Sequence, residues 1–238
     1  MPLTRKHFLS AAAAGASIAT LASANAASAA NAGDVRSLVK FHNLKPSDYD
    51  AAAMLKTLTQ SSEHKQVFQS VSPIVIVPGL ASLYLHMQNS MNAYQFSLGL
   101  GNLSTLGVLI GPSIAFALTD AMWTKYNIGK TLGNDLAATN VYYKATSNLD
   151  AGASPDDPNG LYQDWSAQAV LKRGGSFFVC HNATTGIAMV LASKMGGDPK
   201  VALADFEKNL LPGFQMVPAG VAAMQQAQEN GWKPFPII

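Results

Sequence analysis

The sequence predicts a single α/β domain in which parallel strands and helices alternate in layers. Short apolar runs rich in β-branched and aromatic residues recur between longer segments that carry apolar residues at helical spacing. Glycine and proline separate most of these segments, and the sequence shows no internal repeat. Apolar residues make up 48% of the 238 residues and charged residues 13%, so the chain can bury a full core. Together these observations favour a layered fold around a parallel sheet.

The first 29 residues are predicted to be a cleaved export signal. Arg5 and Lys6 lie in a short charged start, 10–22 form a small, weakly apolar run, and 27–29 is one of several small-residue cleavage sites. The order of residues 4–9 resembles a twin-arginine signal in which Lys6 replaces the second arginine, so the general secretory route stays open. The apolar run is too short and too rich in alanine to span a membrane. The protein is therefore expected in the periplasm or outside the cell.

The charge balance gives no indication of nucleic-acid binding. The chain has 16 basic and 14 acidic residues, and loss of the signal would remove two of the basic ones. The remaining sequence contains no basic run, which nucleic-acid-binding surfaces require. The histidines lack the spacing of metal ligands, and no cofactor is expected; they are His7, His42, His64, His86 and His181.

An arm and helix are predicted over 30–63, followed by alternating strands and helices. Ser47 is a candidate N-cap for the first helix. The run 73–79 is apolar and β-branched, but prolines bracket it, so an edge strand and an apolar loop both remain open. The clearest helix carries Met87 and Met91, and also Tyr94 and Leu98, on one predicted sheet-facing side. Predicted elements here are helices over 47–60, 83–99 and 113–126, and strands over 66–71, 106–110 and, more weakly, 140–145.

The second half of the chain begins with a loop over 149–160, predicted from its glycine, proline and aspartate content. Gly174 and Gly175 stop the helix that follows this loop, and Pro218-Ala219-Gly220 turns the last predicted strand into a closing helix. Predicted elements are helices over 165–173, 183–194, 199–210 and 220–230, and strands over 177–180 and 214–217.

Cys180 is the only cysteine and the most informative residue of the chain. It falls where a buried strand turns into a helix, and the partial positive charge of a helix N-terminus favours thiolate over thiol. A single cysteine cannot form a disulfide within the chain, so it is a reactive thiol, a link between chains or a buried residue. Free cysteines often pack as small hydrophobic residues, and this alternative stays open.

Three turns are predicted to meet at the carboxyl edge of the sheet, where parallel sheets gather ligands. They begin at Gly111, at Cys180 and at Pro218, the last leading into Gly220. His181 and Asn182 follow Cys180 directly, although neighbours on a strand point to opposite faces, which argues against help from His181. Asp120 is a candidate pocket carboxylate whose default role is capping or solvation.

A serine hydrolase is a third hypothesis. The segment Gly111-Pro112-Ser113-Ile114-Ala115 follows a strand and opens a helix, as the nucleophile elbow of α/β-hydrolases does, and Ala115 would replace the last glycine. His181 follows in the required order. No distinctive acid lies between them, since the residues from Asp120 to Asp164 offer only generic candidates.

Two segments resemble the DsrE-like family of sulfur-relay proteins. The first is Phe177-Phe178-Val179-Cys180-His181-Asn182-Ala183, a strand that ends in a cysteine before a small-residue helix. The second is Leu210-Leu211-Pro212-Gly213-Phe214-Gln215-Met216-Val217-Pro218-Ala219-Gly220-Val221, with its leucine-proline-glycine strand and proline-x-glycine turn. The stretches 91–94 and 116–126 are similar to exported members of the group. The resemblance covers about 64–238.

The resemblance implies a three-layer, flavodoxin-like fold with a mostly parallel sheet of about five strands. It also implies that Cys180 carries a persulfide between a donor and an acceptor, either proteins or small sulfane-sulfur compounds, and that the chain forms a homo-oligomer, a trimer or a hexamer. Known relay members are cytoplasmic, whereas this chain carries a predicted export signal. The alternative is a noncatalytic protein that binds a small ligand or has a structural role, with Cys180 buried.

Overall fold

The computed structural model of the chain describes residues 43–133, 136–150, 152 and 154–237. The predicted export signal and the first part of the predicted arm lie outside these residues. No helix of the described part is both long and apolar enough to cross a membrane.

A parallel five-stranded sheet forms the centre of the domain, in the order β6-β5-β4-β1-β7. The predicted α/β class is therefore confirmed, and the fold is flavodoxin-like in its layers and all-parallel pairing. Two further strands, β2 and β3, pair antiparallel in a separate hairpin. The strands are β1 (His64–Ser70), β2 (Val75–Val77), β3 (Leu80–Ala81), β4 (Leu103–Leu109), β5 (Ser176–Cys180), β6 (Phe214–Val217) and β7 (Lys233–Ile237).

Helices cover both faces of the sheet. They are α1 (Ala51–Leu58), α2 (Ser82–Asn92), α3 (Asp120–Lys125), α4 (Ile128–Leu132), α5 (Ala167–Lys172), α6 (His181–Met195), α7 (Pro199–Lys208) and α8 (Gly220–Glu229). A π-helical turn, Ala93–Ser97, continues α2, and 3-10 turns span Gly111–Ala117 and Leu161–Gln163.

Because side chains alternate along β5, they belong to two core clusters, one on each face of the sheet. Phe177 and Val179 belong to the larger cluster, with side chains of α2, α5, α6 and α7. Phe178 belongs to the smaller cluster, with side chains of α1 and α8. Side chains two residues apart on a strand share a face. Cys180 therefore faces α8, on the same side as Phe178.

The helix predicted over 83–99 forms, but its last turn departs from the expected pattern. Met87 and Met91 are buried as predicted. Leu98, predicted to face the sheet, is 59% exposed. The π-helical turn that follows α2 is wider than an α-helical turn and shifts the phase of the side chains behind it. The periodicity of an ideal helix therefore places Leu98 on the wrong side.

Two predictions in the region after β4 are wrong. The helix expected over 113–126 is a 3-10 turn and the short helix α3, separated at Leu118, which instead forms an isolated bridge with Leu210. The weak strand expected over 140–145 is a turn. Asn140 Nδ2 donates to the carbonyl oxygens of Phe116 and Leu118, at 3.0 and 2.7 Å. Asn140 thus donates hydrogen bonds to carbonyl oxygens that would accept from backbone N–H groups in a continuous helix.

The first helix begins later than predicted. Residues 46–50 form a turn, and Asp50 rather than Ser47 is the N-cap of α1, because Asp50 Oδ1 accepts the Ala53 N–H at 2.8 Å. For 73–79 the sequence left an edge strand and an apolar loop open. In the structure Val75–Val77 form the strand β2, which lies outside the main sheet.

β7 was not predicted because Pro234 and Pro236 argue against a strand. It pairs with β1 in parallel, with Phe235 opposite Phe68. Proline has no backbone N–H group, so the β7 residues that donate hydrogen bonds to β1 are the odd-numbered ones. The backbone nitrogens of Pro234 and Pro236 point to the outer edge of the sheet. An edge without those N–H groups is a poor template for pairing with another chain.

Asp164 ties the long loop before α5 together. It is 4% exposed, and its Oδ2 accepts from Thr146 N–H, Ser147 N–H and Ser147 Oγ at 2.9, 3.0 and 2.7 Å. Its Oδ1 accepts the Ser166 N–H at 2.9 Å. Burial raises the pKa of this carboxyl, but the hydrogen bonds from Ser166 and Ser147 outweigh burial and leave the pKa below its ordinary value.

Replacing Asp164 with asparagine is expected to lower the free energy of unfolding by about 2–3 kcal/mol at neutral pH, because hydrogen bonds to a buried charge are lost. Since the folded-state pKa is lowered, the contribution of the carboxylate is present above the unfolded pKa of about 3.9 and is lost as pH falls through the folded value. Urea unfolding at pH 7 and at about pH 3 measures this, and the deficit of Asp164→Asn should shrink in acid. Asp156→Asn, an exposed change in the same loop, is the control. Equal urea midpoints for the two variants would contradict the assignment.

Candidate functional site

The turns after β4, β5 and β6 meet at the carboxyl edge of the sheet. Ile110 N–H, at the end of β4, donates to Ser70 O, and Asn182 N–H donates to Pro218 O at 3.4 Å. A Cβ atom placed on Gly220 would lie 2.5 Å from Ile110 Cγ1 and 3.0 Å from Cys180 Cβ. Glycine at position 220 therefore allows the start of α8 to pack directly against Cys180.

Cys180 is the last residue of β5 and the N-cap of α6, a helix of 15 residues. Its Sγ accepts the Ala183 N–H at 3.3 Å, and its carbonyl oxygen accepts from Thr184 Oγ1 at 2.9 Å. The sulfur thus lies against the N–H groups that carry the positive end of the helix dipole. The residue is 4% exposed, because α8 covers it.

His181 turns away from the thiol and toward α7. Its Nε2 lies 2.9 Å from Glu207 Oε1, and its side chain is 3% exposed. An ionised carboxylate only accepts hydrogen bonds, so Nε2 carries the proton. His181 Nδ1 is buried and has no hydrogen-bond partner. No hydrogen bond between His181 and Cys180 is present, in agreement with the opposite directions expected for neighbours at a strand end.

Gly111 and Asn182 contribute backbone rather than side-chain chemistry to this edge. Gly111 has φ +63°, and a Cβ there would lie 3.0 Å from Val71 O, so the turn after β4 requires glycine. Asn182 is half-buried, and its N–H anchors the turn before α8. Asn182 therefore shapes the turn beside Cys180, and Gly111 shapes the turn after β4.

Asp120 lies apart from this group. It is exposed at the start of α3, and its Oδ1 accepts the Asn140 N–H at 2.8 Å. The contact holds the 140s turn against the start of α3. Asp120 is exposed but does not occupy the N-cap of α3, which is Thr119, and its carboxylate instead anchors the 140s turn.

Ser113 is fully buried, and its hydroxyl is committed to the backbone. Its Oγ lies 2.6 Å from Ser70 O and 3.0 Å from Ile110 O, and it accepts the Ile110 N–H at 3.2 Å. A nucleophilic serine needs a base within hydrogen-bond reach and an approach for the substrate. His181 is paired with Glu207 instead, so this geometry gives the serine hydrolase hypothesis no support.

Two cavities flank the edge of the sheet on either side of α1. The first, here called the β6 cavity, has a volume of about 810 Å³ and is lined by residues that include Tyr49, Asp50, His181, Glu207 and Gln215. The second, here called the α1–α8 cavity, has a volume of about 310 Å³ and a mainly apolar wall that includes Met54, Leu58, Pro218 and Ala219. Cys180 forms part of neither wall.

Glu207 and the residues of α1 are the parts of this edge that sequence reasoning missed. Glu207 lies 26 positions after its partner His181, on a helix whose apolar pattern says nothing about its polar face. Gln215 Nε2 donates to Asp50 O at 2.7 Å, which fastens α1 beside β6. No spacing rule links residues that far apart in the chain.

In the described ranges, no group of three or more histidine, cysteine, aspartate or glutamate side chains is placed to hold a metal ion. Compared with models of protein families and with curated proteins, the sequence matches none of them.

Proposed function

We propose that this protein carries sulfane sulfur on Cys180, as the resemblance to DsrE-like proteins implies. The observation that carries the proposal is the contact of Cys180 Sγ with the first turn of α6, where it accepts the Ala183 N–H at 3.3 Å. The sulfur therefore lies at the start of a 15-residue helix, and the thiolate is the nucleophilic form of cysteine.

The proposed reaction is a transfer of neutral sulfur between thiolates. The Cys180 thiolate attacks the outer sulfur of a persulfide or polysulfide donor, a new Sγ–S bond forms, and the donor S–S bond breaks as the donor leaves as a thiolate. An acceptor thiolate then attacks the outer sulfur of the Cys180 persulfide and regenerates the cysteine thiolate. Each step exchanges one S–S bond for another, so no external oxidant or reductant is needed.

Access to Cys180 requires movement of its cover. The thiol is 4% exposed beneath the turn that leads into α8. Pro218 and Ala219 in that turn also line the α1–α8 cavity, so the cover borders open space rather than packed core. We propose that the donor reaches Cys180 when this turn and the start of α8 move toward that cavity.

A noncatalytic ligand-binding protein is the second candidate, and the burial of Cys180 is the observation that favours it. Free cysteine is among the residue types most often buried for packing alone. Under this alternative the thiol stays covered throughout the life of the folded protein. Export and assembly into a homo-oligomer remain predictions under either candidate.

Thiol labelling of the native protein separates the two candidates. We expect a maleimide reagent to label Cys180 in native buffer at a rate far above that of global unfolding, because local opening of the cover needs less free energy than unfolding. Intact mass measured over time gives the labelling rate, and hydrogen exchange in β4 and β5 gives the global opening rate. Labelling that proceeds only as fast as global unfolding would rule out the carrier and leave the second candidate.

A further inference from the structure

We propose that Arg173 binds the carboxylate of a small aromatic acid. Arg173 follows α5 and lies just before β5, so it is at the opposite end of that strand from Cys180, and the inference is independent of sulfur transfer. It rests on three observations: a half-buried guanidinium group without an ionic partner, a set of amide side chains that holds this group in place, and aromatic side chains beside it.

The first observation is the unbalanced charge of Arg173. Within the described ranges, no carboxylate forms an ion pair with its half-buried guanidinium group. Burial lowers the pKa of this group to about 10, an effect that a neighbouring carboxylate would oppose. A charge that is taken out of water costs free energy unless an opposite charge compensates for the lost hydration. A bound carboxylate would provide that opposite charge.

The second observation is the way in which the guanidinium group is held. Arg173 Nη1 donates to Gln88 Oε1 and to Asn92 Oδ1, both at 2.6 Å, and Nη2 donates to Gln95 Oε1 at 3.0 Å. The side-chain nitrogens of Gln88 and Asn92 donate in turn to backbone carbonyl oxygens in 161–164, which fixes both amide groups. These three acceptors are neutral. They position the guanidinium group without cancelling its charge.

The same contacts leave part of the guanidinium group available. Arginine has five N–H donors, and the three amide oxygens use three of them. Arg173 Nε has no acceptor in the described part of the chain, and it is not one of the buried atoms without a partner, so it reaches solvent. A carboxylate oxygen can therefore accept from Nε in a charge-assisted hydrogen bond. Because the group is already held in place, binding costs little side-chain entropy.

The third observation is the aromatic surface beside Arg173. The ring centroid of Tyr162 lies 4.9 Å from Arg173 Cζ, and the ring of Phe96 packs edge-on against Tyr162 with the centroids 4.8 Å apart. Phe96 is 41% exposed. A ligand ring that covers Phe96 gains free energy, whereas an inorganic anion does not use this surface. An aromatic carboxylate therefore matches all three observations.

The test uses the full chain and three probes, benzoate, benzamide and acetate, at constant ionic strength. We expect benzoate to bind with a dissociation constant of about 1 mM, which is modest for one ring and one charge. Benzamide has the ring without the charge and acetate the charge without the ring, so each should bind about 10-fold more weakly.

The ¹⁵N-labelled Nε group of Arg173 reports the outcome directly, and its signal should shift on benzoate. The chain has three arginines, Arg5, Arg36 and Arg173. Replacing Arg5 and Arg36 with lysine removes the other two Nε signals, so the remaining signal is assigned without changing Arg173.

Arg173→Gln is expected to weaken benzoate binding at least about 10-fold in ligand-detected NMR, because the charge and the open N–H donor are both lost. Lys172→Gln removes the same charge from the exposed side chain one residue earlier and should leave binding within about 2-fold, since salt screens a distant solvent-exposed charge. An unmoved Arg173 Nε signal, equal binding of benzoate and benzamide, or equal binding of benzoate and acetate would each overturn the proposal, whether or not the variants fold.

Discussion

Cys180→Ser is expected to lose sulfur loading completely while the protein keeps its fold. Serine is a preferred N-cap residue, so its hydroxyl can accept the Ala183 N–H in place of the thiol, and the stability of α6 should change by less than about 1 kcal/mol. A serine hydroxyl does not attack sulfane sulfur, because it lacks the polarizable thiolate. Intact mass after exposure to polysulfide measures the loss.

Cys180→Ala serves as the comparison for the cap itself. Alanine should also fail to load sulfur, and it should additionally destabilise the protein by about 1 kcal/mol because no side chain caps α6. Sulfur on the serine variant would mean that another group carries it, which this account does not allow.

Gly220→Ala is expected to destabilise the protein by about 1–3 kcal/mol and to accelerate labelling of Cys180. The added Cβ would lie 2.5 Å from Ile110 Cγ1 and 3.0 Å from Cys180 Cβ, so the start of α8 must move outward. Because the first turn of α8 is the cover of the thiol, a displaced cover exposes the sulfur. Urea unfolding and native maleimide labelling measure the two effects.

Gly186→Ala is the matched control for this change. Gly186 lies in the middle of α6, and a Cβ there would contact nothing within 4 Å. Alanine should therefore stabilise the helix by about 0.5–1 kcal/mol and leave the labelling rate unchanged. Equal behaviour of the two alanine variants would show that Gly220 does not hold the cover of Cys180 by close packing.

The central sheet was predictable because its strands follow local patterns. β5 and β6 were expected within one residue of their observed bounds, since each is a short apolar run between breakers. β7 escaped prediction because its prolines oppose a strand, and only its place at the outer edge of the sheet makes them acceptable. Prolines are compatible with an edge strand, but they do not show that a segment pairs with the sheet at all.

The candidate site was predictable only in part, because a sequence pattern does not show which distant elements will contact each other. The position of Cys180 at the start of α6 follows from the change of pattern between strand and helix. The cover from Gly220 and the pairing of His181 with Glu207 depend on contacts between elements that are distant in sequence. The burial of the thiol, which favours the second candidate function, therefore had to come from the structure.

The most direct test of the sulfur-carrier account is the intact mass of the native wild-type chain after brief exposure to polysulfide and then to a small thiol acceptor. The account predicts a gain of one sulfur atom per chain in native buffer, followed by a return to the original mass as the acceptor takes the sulfur. A chain that stays unmodified until it is denatured would contradict the account, because Cys180 would then be a packing residue beneath α8.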